Sequence, residues 1–107
     1  MAGSNHIREL EDRIVEELRQ IFDPEIPVNI YDLGLIYGID IESSGKATIT
    51  MTLTAPNCPV AETLPVDIKE AVERVRGITQ AEVILTFDPP WNKDMLSDEA
   101  MLELGLL

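Results

Sequence analysis

Ile7, Leu10, Ile14, Leu18 and Ile21 recur at spacings of three and four, which places one apolar stripe along a helix. The pattern predicts a helix over about residues 6–22, with Ser4 or Asn5 as its cap. Pro24 ends it, because proline disfavours helical geometry at Asp23 before it. Residues 23–34 hold two prolines and a glycine, but also Ile26, Val28, Ile30 and Leu33. That mixture predicts an ordered, partly buried loop. Residues 35–42 read as a strand and 43–45 as a hairpin turn. The next segment has the clearest alternation in the chain. Ala47, Ile49, Met51 and Leu53 point one way, and Thr48, Thr50, Thr52 and Thr54 the other. The first face should pack on helices, and the threonine face should be wetter or covered by a partner.

Val60, Leu64, Ile68, Val72 and Val75 form a second helical stripe, with Pro59 suited to its first position and Gly77 to its end. Pro65 conflicts with that start. It should either kink the helix or mark its true beginning after an irregular turn. Residues 80–87 predict a third strand with Ala81, Val83, Leu85 and Phe87 inward. Asp88-Pro89-Pro90-Trp91 breaks it, and Ser97 should cap a short helix begun by Asp98 and Glu99 and ended at Gly105. The order α-β-β-α-β-α predicts a two-layer α+β fold: a small mixed sheet of about three strands, with helices on one side. Residues 1–107 should form a single domain, with 1–5 disordered and 88–107 a tail carrying the short helix.

Composition narrows the functions. Eight basic residues against twenty acidic leave a net charge of −12 in 107 residues. A nucleic-acid binder needs a cationic surface to displace counterions, and no Lys/Arg cluster supplies one. Anionic membranes are disfavoured for the same reason, and no apolar run reaches the roughly 20 residues that cross a bilayer. With no basic-then-apolar start, the expected location is the cytoplasm. The charge suits basic protein partners, and equally suits solubility through self-repulsion. Cys58 stands alone, so no internal disulfide forms, in keeping with a reducing compartment.

Cys58 is also the leading candidate for chemistry. It sits between a strand and the expected helix start, where unpaired N–H groups and the helix dipole favour a thiolate. The rival reading is a buried, inert cysteine. Thr54 could bond a thiolate, or be one more residue of the threonine face. His6 is the only histidine and pairs with Cys58 only if the N-terminus folds back over it. Without a general base, an activated nucleophile has little support. A closed zinc site needs more than one cysteine and one histidine. Asp23, Glu25 and Asp32 could ligate a metal, orient a loop through backbone N–H groups, or accept a proton; Asp before Pro is also a common turn signal. Trp91 is best read as an anchor for the tail, and Tyr31 and Tyr37 as partly buried with their hydroxyls at the surface.

Three motifs together bring a resemblance. Asp23-Pro24-Glu25-Ile26-Pro27-Val28-Asn29-Ile30 with Asp32-Leu33-Gly34-Leu35-Ile36-Tyr37 looks like the opening signature of the SufT/PaaD-like metal–sulfur cluster assembly family. Met51-Thr52-Leu53-Thr54-Ala55-Pro56-Asn57-Cys58-Pro59 resembles its cysteine loop, with Asn57 where glycine is expected. Asp88-Pro89-Pro90-Trp91, Met95-Leu96-Ser97 and Leu102-Glu103-Leu104-Gly105 are similar to the tail of its SufT-like members. The resemblance implies a fold related to the C-terminal domain of NifU scaffolds. It implies an accessory, non-enzymatic role in iron–sulfur protein maturation, with Cys58 as functional thiol and Asp23, Glu25 and Thr54 in support.

A single thiolate is a poor cage for a cluster that takes four ligands. Any iron or cluster should therefore be held transiently, by Cys58 with Asp23 or Glu25 as a weak oxygen ligand, or across a homodimer. The expected partners are iron–sulfur assembly proteins and apo-clients. The alternatives are a metal-free adaptor for clients and a PaaD-type accessory of a ring oxygenase; the additional C-terminal cysteines of PaaD-type relatives are missing here.

Overall fold

In the computed structural model of the chain, the described residues are 2–23, 26–54 and 63–105. Helix α1 (Ala2–Leu18) buries Leu10, Ile14 and Leu18, so the stripe in the sequence is the face that packs. Both ends differ from expectation. The helix takes in residues 2–5, expected to be disordered, and neither Ser4 nor Asn5 is its cap. Nothing there breaks a helix, since even Gly3 costs only about 1 kcal/mol relative to alanine. At the other end α1 stops at Leu18, short of residue 22, because the backbone beyond it is used elsewhere. The Ile21 carbonyl accepts the Ile30 amide at 2.9 Å, and Phe22 pairs with Asn29 in an antiparallel bridge.

Strand β1 (Ile36–Ile41) runs antiparallel to β2 (Lys46–Met51), and β2 runs parallel to β3 (Gln80–Leu85), giving the sheet order β1-β2-β3. Ala47, Ile49 and Met51 are buried and Thr48 and Thr50 half-exposed, as the alternation predicts. The register sets Ile39, Ile49 and Val83 in one row across the sheet. Helix α1 packs on β1 and on α2 (Leu64–Glu73), and α2 packs on β3. The two-layer α+β fold with a mixed three-stranded sheet is therefore the one observed. Each fully buried Ile or Leu of this core contributes about 1.5–3 kcal/mol through burial.

Helix α2 resolves the conflict over Pro65. It begins at Leu64 behind Thr63, with Pro65 in its first turn, where a missing N–H costs nothing. Proline here marks a start and makes no kink. Pro59 and Val60 lie outside the described residues. The helix ends at Glu73 and not at Gly77, with Val75 buried in the turn that follows. Strand β3 also departs from expectation, ending at Leu85. Ala81 is buried, but Leu85 and Phe87 are 36% and 39% exposed. Phe87 lies past the end of the strand, where the alternation of a sheet no longer sets its direction. Among the described residues no helix is long and apolar enough to cross a membrane.

One carboxylate fastens α2 to β3. Glu73 Oε2 accepts the Ala81 amide and the Lys69 ammonium, each at 3.2 Å. These bonds, the amide first, hold the Glu73 carboxyl below its ordinary value. An acid with a depressed folded pKa stabilises above the ordinary glutamate range, and that contribution is lost as pH falls through it. Between about pH 5 and pH 3 the wild type should lose stability more steeply than Glu73→Gln in urea titrations. Parallel pH profiles would remove this fastening from the account.

Candidate functional site

The Asp-Pro-Glu segment is closed at its neck by the Phe22–Asn29 bridge and by the Asp23 amide, which donates to the Val28 carbonyl at 3.4 Å. Asp23 is buried, and its Oδ1 accepts the Ile26 amide at 3.2 Å. That bond gives Asp23 the loop-orienting role, one of the three open to it in the sequence. Pro24 and Glu25 lie outside the described residues.

Asn29 organises the next turn, a role absent from the sequence reading. Its Oδ1 accepts the Asp32 amide at 2.9 Å, while its Nδ2 donates to Asp32 Oδ2 at 2.8 Å. The signal was present, since Asn bonding backbone two or three residues ahead is a turn former. Asp32, 7% exposed, also faces the Arg19 guanidinium at 3.9 Å, and Arg19 lies over the Tyr31 ring with 5.2 Å to its centroid. Asp32 therefore serves this turn.

Carbonyls of the turn then hold the rest of the site. The Asp32 carbonyl accepts the Ser97 amide at 2.9 Å, Leu33 accepts the Trp91 indole N–H at 2.7 Å, and Leu35 accepts the Thr52 amide at 2.8 Å. Trp91 is thus the tail anchor the sequence predicts. Ser97 caps α3 (Asp98–Glu103) through its Oγ, which accepts the Ala100 amide at 3.1 Å. Tyr37, half-buried like Tyr31, donates its hydroxyl to the Pro89 carbonyl at 2.7 Å.

Thr52 corrects the threonine face. The strand ends at Met51, and where Thr52 turns onto Leu35 its side chain is completely buried. Its Oγ1 has no hydrogen-bond partner among the described residues, which ordinarily costs about 1–3 kcal/mol. Two residues on, half-buried Thr54 leads into residues 55–62. Cys58 lies within that stretch, outside the described residues. Helix α2 begins after that stretch, at Leu64 behind Thr63. His6 lines a hollow beside Ser43, Ser44 and Gly45, at the hairpin end of the sheet, while Thr54 leaves from the opposite end of β2. Among the described residues no group of three or more Asp, Glu, His or Cys side chains is placed to hold a metal ion.

Residues 11–84 match the family model described as "Iron-sulfur cluster assembly protein". The chain belongs to this family. It is 55% identical, over 97% of its length and 99% of the relative's, to the "Fe-S protein maturation auxiliary factor" of Porphyromonas gingivalis. It is 35% identical to the "Fe-S protein maturation auxiliary factor SufT" of Staphylococcus aureus, over 80% of this chain and 98% of that one. The crystal structure of a domain of unknown function, DUF59, from Bacillus anthracis superposes with a TM-score of 0.86 at 33% identity, covering 94% of this chain and 95% of that one. The family read from the three sequence motifs is the one observed, and the fold is shared with the Bacillus anthracis domain.

Gly34 makes the turn of this iron–sulfur assembly domain possible. It holds φ at +81°, and a Cβ there would run into the Met95 backbone carbonyl. Gly105 has a similar φ of +72° with open space around it. Gly34→Ala should therefore cost at least about 2 kcal/mol in urea unfolding, and Gly105→Ala about 1 kcal/mol or less. Equal costs would show that the approach of the tail to Gly34 is slack.

Proposed function

We propose that this chain is an accessory factor in the maturation of iron–sulfur proteins. It acts in the cytoplasm beside the assembly machinery and apo-clients, and without catalysis of its own. The observation that carries this reading is the nearly end-to-end likeness to a protein named as a maturation auxiliary factor. The matched region contains Cys58 and the Asp-Pro-Glu segment.

Cys58 is the proposed point of handover, with iron or a cluster as cargo. Four ligands complete an ordinary cluster site, and this chain brings one cysteine. The remaining ligands come from Asp23 or Glu25, from a second subunit, or from the client. Incomplete ligation suits a factor that must release its cargo. Asp23 Oδ1 accepts the Ile26 amide, so this carboxylate also orients its own loop. Thr54, half-buried at the entry to residues 55–62, is proposed as a supporting hydroxyl.

Anaerobic reconstitution with ferrous iron and sulfide, followed by visible absorption, tests this role. The wild type should develop charge-transfer absorption that Cys58→Ser loses, while both proteins keep the same far-UV circular dichroism. A spectrum unchanged by the substitution would contradict a Cys58 handover. No absorption in either protein would favour the adaptor reading, in which clients are recruited without cargo.

A further inference from the structure

A groove of about 540 Å³ lies between the loop at 22–32 and α3, at a distance in sequence from the cysteine segment. Phe22 and Leu102 are among its lining residues yet stand 58% and 62% exposed, as large apolar side chains that the fold itself does not cover. Beside them the lining carries Asp32, Glu99 and Glu103, and no lysine or arginine.

The carboxylates on α3 are poorly served by their own molecule. Glu99 and Glu103 are four residues apart on one helix, a like-charge spacing that is mildly destabilising. Glu103 also stands in the last turn, where the helix dipole disfavours an anion and no basic residue offsets it. Neither has an ion-pair partner among the described residues, whereas Arg13, Arg19, Lys46, Lys69 and Arg74 are each paired with carboxylates elsewhere. Exposed apolar walls and uncompensated anions meet in one groove, and both are satisfied by an occupant that brings apolar surface and positive charge together.

We propose that this groove binds a peptide segment of a partner protein in which a large apolar side chain is flanked by lysine or arginine. The apolar side chain seats between Phe22 and Leu102, and the cationic groups meet Glu99 and Glu103. A second copy of this chain is a poor occupant, since it brings a further net charge of −12 to an acidic face. The inference goes beyond the proposed handover and does not depend on Cys58.

The probe is a fluorescein-labelled dodecapeptide of lysine, arginine, leucine and phenylalanine, titrated into the iron-free full-length protein. A second peptide keeps the charge and replaces the apolar residues with serine. Amide chemical-shift changes on adding the first peptide should be confined to the groove, around Phe22, Val28, Asn29 and residues 99–103. The double variant Glu99→Gln/Glu103→Gln and the single variant Leu102→Ser should each weaken binding at least about fivefold. The control pair Asp40→Asn/Glu82→Gln, equal in charge change and on the open face of the sheet, should alter it less than about twofold. Shift changes spread over the whole acidic surface, equal losses in the control pair, or equal binding of the serine peptide would each overturn the proposal. All three variants are at exposed positions, and unchanged circular dichroism separates lost binding from lost folding.

Discussion

The turn from Asn29 to Leu35 is the constraint on which the rest of this molecule depends. Asn29 closes it through both ends of its amide, and Gly34 lets the tail approach to backbone contact. The Asp32, Leu33 and Leu35 carbonyls then reach three partners far apart in sequence: the Ser97 amide, the Trp91 indole and the Thr52 amide. Each bond is worth only about 1 kcal/mol net, but leaving any of these groups buried without a partner costs more. One short turn thereby fixes the path of the tail, the end of the central strand, and the neck of the Asp-Pro-Glu segment.

The two proposed functions draw on different sides of this fastening. The strand end at Thr52 and Thr54 leads into the segment that holds Cys58, while the Phe22–Asn29 side of the turn and α3 form the acidic groove. A maturation factor has to bring a client and a cargo to one place for a short time. The shared turn ties the strand end at Thr54 to the wall of the groove. The buried hydroxyl of Thr52, without a partner among the described residues, lies on the strand side of that turn, a costly feature next to the segment on which handover is proposed.

Much of the fold was legible because each signal was local and periodic. The alternation in β2, the stripe of α1, the Ser97 cap and the Trp91 anchor all follow from residues acting on near neighbours or on one apolar face. What the periodicity misjudged was decided by longer-range pairing. Helix α1 stops at Leu18 because Ile21 and Phe22 pair with Ile30 and Asn29. Thr52 is buried because the turn takes its amide, and Phe87 falls beyond the strand that was expected to hold it. For the candidate site, the loop-orienting role of Asp23 was readable from Asp before Pro. Asn29 was overlooked because its side chain was weighed only as part of a motif. Cys58 and Glu25 rest on sequence and kinship, since both lie outside the described residues.

The central claim is that the turn at 29–35 is a common fastening for tail and strand. Native-state amide hydrogen exchange of the wild type and Asn29→Ala tests it most directly. If the claim holds, the Leu35, Thr52 and Ser97 amides exchange through one shared opening, and the substitution lowers their opening free energies together, by about 1–2 kcal/mol. Unequal responses would contradict it, above all a Ser97 amide that opens on its own while Thr52 keeps its wild-type protection.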